Sequence, residues 1–112
     1  MLRLAARHAD VWDTFPPIPK AATDGMTDTM ADRVRHFDGA CRDAGRDPAV
    51  VRRSTWTGSA ALQSEAAFRA WVGEHRALGF TDFTAGLPGP AHHPAVRRIA
   101  AAVLPELRGA TV

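Results

Sequence analysis

LRLAARHADVWDTF, residues Leu2–Phe15, runs from the back half of an amphipathic helix into a short strand with no loop between them. Leu2, Ala5, Ala6 and Ala9 recur at the i, i+3, i+4, i+7 spacing of one helical face. Asp10 to Thr14 then alternates, with Val11 and Asp13 on one side and Trp12 and Thr14 on the other. Pro16 and Pro17 stop the strand, because proline has no N–H to give to a ladder. Working outward, the same helix-to-strand unit recurs in RDAGRDPAVVRRSTWTG (Arg42–Gly58) and again in RAWVGEHRALGFTDFTAGLP (Arg69–Pro88). Alternating helices and strands at this spacing predict an α/β fold with a parallel sheet.

The intervening stretches fit that rhythm. Phe15 to Asp24, FPPIPKAATD, is proline-rich and reads as a loop on the carboxyl side of the first strand. Met30, Val34, Phe37 and Cys41 mark the apolar stripe of the next helix, with Asp28, Asp32, Arg33 and Arg42 outward, and Gly45 and Pro48 end it. A second strand is expected at Arg53 to Thr57, bounded by Gly58, followed by a polar connector from Ser59 to Ser64. Ser64 is placed to N-cap a third helix, whose stripe is Phe68, Trp71, Val72, His75 and Leu78 and whose end is Gly79. A third strand, Phe80 to Ala85, leads through a Gly- and Pro-rich turn to a last helix starting at Pro94. Val96, Ile99, Ala100, Val103 and Leu104 are expected to face inward there, with fraying near Pro105. The count is three strands and four helices in one domain over residues 1–112, joined by right-handed crossovers.

Two features of this pattern are unusual. Nothing before Leu2 can cap the first helix, so it reads as a helix that has lost its beginning. The strands also carry Asp10, Asp13, Ser54, Thr55, Thr57, Thr81, Asp82 and Thr84. A parallel sheet buried on both faces reads as nearly continuous Val, Ile and Leu, which these strands do not. Each such group buried without a partner costs about 1 to 3 kcal/mol. One face of the sheet is therefore expected to meet a polar interior supplied by further protein.

Composition narrows the function classes. The chain has 112 residues, and its 14 basic and 12 acidic side chains are interleaved along it, for a net charge of +2. A nucleic-acid footprint needs Lys and Arg gathered on one face, so no nucleic-acid partner is expected. Cys41 is the single cysteine, which excludes an intramolecular disulfide and any multi-cysteine metal spacing, and it suits a reducing compartment. The first residues lack the pattern of a signal peptide, and no window approaches a membrane span, so the cytoplasm is the expected location, with no membrane partner.

The runs AARHADVW, GRDP with the RRS strand start that follows it, LGFTDF, and the terminal VLPELR, in that order, resemble the carboxyl-terminal third of luciferase-like flavin-dependent monooxygenases and oxidoreductases. The resemblance spans nearly the whole chain. It implies a fragment, about the last three strand-and-helix units, of a (β/α)8 TIM-type barrel that commonly takes about 250 residues. It further implies FMN or a deazaflavin as cofactor, a small-molecule substrate and the option of a homodimer. In such enzymes the reduced ring passes hydride or activates oxygen while the protein positions the substrate. About five strands are missing ahead of Leu2 by this measure, so the chain alone is expected to be inactive.

In a barrel the chemistry sits at the carboxyl ends of the strands. Carried onto this sequence, those positions are Trp12, Asp13, Thr14 and Phe15, then Thr57 and Gly58, then Gly86 and Leu87, and the resemblance makes them one wall of the cofactor and substrate pocket. Trp12 reads first as a packing aromatic, and Asp13 equally as a substrate ligand or a turn cap. His92 and His93 are adjacent with no acidic or cysteine cluster near them in sequence, which favours a solvated loop over a metal site. Cys41 reads as a small buried hydrophobe. The glycines of GLPGP do not form the dinucleotide fingerprint. A different reading of the same residues is a small non-catalytic α/β module that dimerises or docks through exposed sheet edges.

Overall fold

The computed structural model describes residues 2–14 and 29–109. Helix α1 (Leu2–His8) leads into β1 (Val11–Thr14), and α2 (Met30–Asp43) into β2 (Arg52–Thr57). Helix α3 (Glu65–Ala77) then leads into β3 (Asp82–Ala85). The chain closes with α4 (His93–Arg98), a π-helical segment at Ile99–Val103 and α5 (Leu104–Gly109). Both strand pairings are parallel and the sheet order is β1-β2-β3, as the alternation of elements in the sequence requires. The loop expected at Phe15 to Asp24, and Asp28, lie outside the described residues.

Local chemistry sets the boundaries. Thr29 accepts a hydrogen bond from the Asp32 N–H at 3.1 Å to open α2, and Ser64 accepts one from the Ala67 N–H at 3.0 Å to open α3. After α2 and α3 the chain turns at Gly45 (φ 75°) and Gly79 (φ 96°), left-handed conformations that glycine adopts without a Cβ penalty. The connector expected at Ser59 to Ser64 instead makes a 3-10 turn at Ser59–Leu62, which buries Ala61. The helix does not fray at Pro105. Proline has no N–H for the Ala101 carbonyl four residues back and its ring crowds that carbonyl. The turns just before it widen, with the Leu104 N–H donating to the Ile99 carbonyl, and α5 continues beyond. Ala100, expected inward, is exposed on that helix.

Two apolar clusters form the core. Ala6 of α1, Val34, Phe37 and Cys41 of α2, Trp12, Val51 and Phe80 make the first. Phe68 and Val72 of α3 pack on Ile99 and Val103 in the second. Phe83 of β3 touches both. In the register Trp12 pairs with Arg53, and Thr55 with Phe83, so Trp12, Arg53, Thr55 and Phe83 share one face and both clusters lie on it. The described helices therefore cover one side of the sheet.

Candidate functional site

On the opposite side no helix among the described residues packs. That side carries Val11 and Asp13 from β1, Arg52, Ser54 and Trp56 from β2, and Asp82 and Thr84 from β3, and every one of these is exposed or half-buried. Trp56 is 45% exposed. Polar side chains on this face bond to one another across the strands. Ser54 Oγ donates to Asp13 Oδ1 at 2.8 Å. Arg52 forms an ion pair with Asp82. The face thus has an order along the strands, with Arg52 toward the amino end, Ser54 between its register partners Asp13 and Asp82 at mid-height, and Trp56 beside Thr84 toward the carboxyl end.

The covered side is polar in a different way. Arg53 is buried, with its guanidinium over the Phe37 ring at 5.4 Å, donating to the Pro48 carbonyl at 3.1 Å and 2.5 Å from an Asp38 carboxylate oxygen. That oxygen has no aligned N–H aimed at it, so charge rather than a directed hydrogen bond holds the pair. Thr14 accepts a hydrogen bond from Arg33 at 3.2 Å. Thr55 is fully buried, and its hydroxyl finds no partner among the described residues. Burial pushes the Cys41 thiol up, against the opposing pull of the nearby Arg53 and Arg46 charges.

The residues singled out in the sequence fall in several places. Trp12 is 8% exposed and stacks flat on Phe37, with centroids 4.2 Å apart and planes 2° from parallel. Asp13 lies on the open face, Thr14 on the covered one. Thr57, Gly58 and Gly86 come together at the carboxyl edge, where the Gly86 N–H donates to the Thr57 carbonyl at 3.1 Å. A Cβ on Gly86 would sit 3.3 Å from the Gly58 carbonyl carbon and the Ser59 nitrogen, a tight approach that favours glycine in this turn. Leu87 is 68% exposed, and Phe15 lies outside the described residues. The sequence reading passed over Trp56, Ser54 and Arg52. The signal that could have found them is the period-two alternation of β2, once Ser54 is known to stand beside Asp13.

An open cleft of about 600 Å³ runs along the β1 edge, bordered by Val11, Trp12, Asp13 and Thr14 with Arg33 and His36 of α2. A larger one, about 1060 Å³, lies between α1 and α2, away from the strand ends. His93 sits 3.2 Å from the Pro88 carbonyl, and His75 donates from Nδ1 to the Trp71 carbonyl at 2.8 Å, so both rings brace their own segments. Among the described residues no three His, Cys, Asp or Glu side chains gather where they could hold a metal ion, and no helix is long and apolar enough to cross a membrane. Compared with known proteins, the chain matches no family model, no curated protein and no solved structure.

Proposed function

We propose that this chain is the carboxyl-terminal part of a luciferase-like, flavin- or deazaflavin-dependent oxidoreductase or monooxygenase, contributing three strand-and-helix units to a (β/α)8 barrel. One observation carries the reading: a parallel sheet whose described helices all lie on one face, while its other face is polar, holds a half-exposed Trp56 and is covered by nothing described. A free parallel sheet is normally covered on both faces. In a barrel, the uncovered face is the interior and the helices form the outer ring. The cleft along the β1 edge supports the same reading, since β1 is an edge strand with room beside it for a neighbour.

The described residues do not form a flavin site by themselves. At the carboxyl edge the Gly58 and Gly86 turns are packed on each other. This chain's part in the barrel is then a polar wall that orients a substrate, and the cofactor's grip belongs to protein outside the described residues. Equilibrium dialysis of the purified chain against FMN and against a deazaflavin tests this division of labour. Neither is expected to be retained at micromolar concentration; micromolar retention with turnover would overturn it. The open β1 and β3 edges favour a second reading, a docking module that pairs with another chain through a sheet edge. A monodisperse, cooperatively folding monomer in solution would count against that alternative.

A further inference from the structure

We propose that the groove between α1 and α2 docks an acidic helix of a partner protein. The groove, about 1060 Å³, is lined by residues of those two helices and of the turn that ends α2. From α1 it takes Arg3, Leu4 and Arg7. Arg3 and Arg7 stand one helical turn apart, about 6 Å by helix geometry. From the α2 side it takes the small residues Gly39, Ala40 and Ala44, and small residues at a contact let two helix axes approach closely. Glycine weakens a helix interior, yet at position 39 nothing lies within 4 Å of where a Cβ would stand. The packing of the described residues therefore does not demand glycine there, and the space above it is room for a guest. Leu4, 61% exposed, offers that guest an apolar contact at the rim.

Charge decides which helix. Arg35 also borders the groove and is engaged by Asp32. Arg3 and Arg7 form no ion pair or hydrogen bond among the described residues, and neither does Asp43, the one acidic side chain of the lining. Three arginines against one aspartate leave the groove cationic. Carboxylates one turn apart on a docked helix meet Arg3 and Arg7 together, the helix-in-groove mode with charge complementarity fixing the register. The described helices of this chain cannot supply that pattern to a second copy. On them Asp32 is paired with Arg35, Asp38 with Arg53, and Glu65 and Glu106 with Arg69, which leaves Asp43 and Glu74 on separate helices. A partner of different sequence is the occupant, and a concave groove between two rods suits a third rod better than a flat anionic bilayer.

The test uses the purified 112-residue chain. The probe is a capped alanine-rich peptide of about 20 residues, long enough to be helical alone, with glutamates four apart on one face; a glutamine counterpart is its control. Binding is read from glycine amide resonances by NMR, with Gly39 on α2 as the site reporter and Gly73 on α3 as the remote one. The Gly39 signal is assigned by its loss in Gly39→Ala. Saturable movement of Gly39 by the glutamate peptide is expected, with Gly73 in place and binding weaker at high salt. The glutamine peptide should bind about three- to tenfold more weakly, as should the double variant Arg3→Gln with Arg7→Gln, the scale of two exposed ion pairs. Gly39→Leu fills the groove with a better helix former, so it should abolish binding with no loss of helix by circular dichroism. The proposal is overturned if the glutamate peptide leaves Gly39 unmoved at millimolar concentration, if both peptides bind alike, or if Gly39→Leu binds as the wild type does. Inorganic phosphate moving Gly39 as strongly as the peptide would reassign the groove to a small anion. Phosphatidylglycerol vesicles binding through Arg3 and Arg7 more tightly than the peptide would reassign it to a membrane surface. None of these readouts involves the open sheet face, so this proposal and the barrel reading can each fail while the other stands.

Discussion

Replacing Arg53 with alanine should remove most of this domain's stability. The Arg53 side chain is 8% exposed and its partner Asp38 24%, so the change strands a largely desolvated carboxylate. Breaking a buried pair from one side costs about 3 to 5 kcal/mol, and the partial exposure of Asp38 puts the expectation near the lower end. The Pro48 carbonyl loses its donor and the Phe37 ring its cation, which together add about 1 to 2 kcal/mol. Small domains have roughly 5 kcal/mol to lose. Urea denaturation followed by circular dichroism at neutral pH measures the difference directly. Should Arg53→Ala fail to fold, the double variant Arg53→Met with Asp38→Leu separates lost charge balance from lost packing. Removing both charges is expected to restore a cooperative transition with most of the wild-type midpoint. A loss below 1 kcal/mol for Arg53→Ala, or a double variant no better than the single one, would refute the view that this ion pair anchors α2 to the sheet.

Three further outcomes are expected. Thr55→Val should be neutral or stabilise by about 1 kcal/mol in the same assay, because the Thr55 hydroxyl is fully buried without a partner among the described residues; a loss above 1 kcal/mol would reveal a bond the hydroxyl makes. Ser64→Ala should cost about 1 kcal/mol by urea denaturation through the lost cap on α3, while Ser64→Asp should cost nothing measurable. Arg69 hydrogen-bonds Glu106, tying α3 to α5, and holds that carboxyl below the usual carboxylate range. A depressed folded-state pKa means that the contribution is present above the unfolded value and is lost as pH falls through the folded one. An NMR titration should therefore find the Glu106 midpoint lowered, and back at its ordinary value in Arg69→Ala or, since the pair is exposed, in high salt.

Much of the fold was legible because its signals are local. The stripe of Val34, Phe37 and Cys41, the Ser64 cap, the glycines at 45 and 79 and the two-faced alternation of Val11 to Thr14 each follow from a few neighbouring residues, and each appears in the structure. What did not show was how the polar strand residues divide between faces. RRSTWT has no contrast of polar and apolar positions, so its faces are set by pairing with β1 and β3, far away in sequence. Arg53 is buried because Asp38, Pro48 and Phe37 await it, and Trp56 is exposed because the alternation that buries Thr55 turns it outward. The same non-local choice hid Trp56 as a site residue. At Pro105 the reading failed for another reason: a π-helical turn absorbs the missing donor, and nothing in the local sequence separates that outcome from fraying.

The central claim is that the open polar face of this sheet belongs inside a larger barrel. Reading the genomic DNA immediately upstream of the Met1 codon in all three frames tests it most directly. The account predicts coding sequence for a strand ending in a glycine-rich turn, preceded by further strand-and-helix units. An unrelated gene, or a promoter and ribosome-binding site directly before Met1, would contradict it.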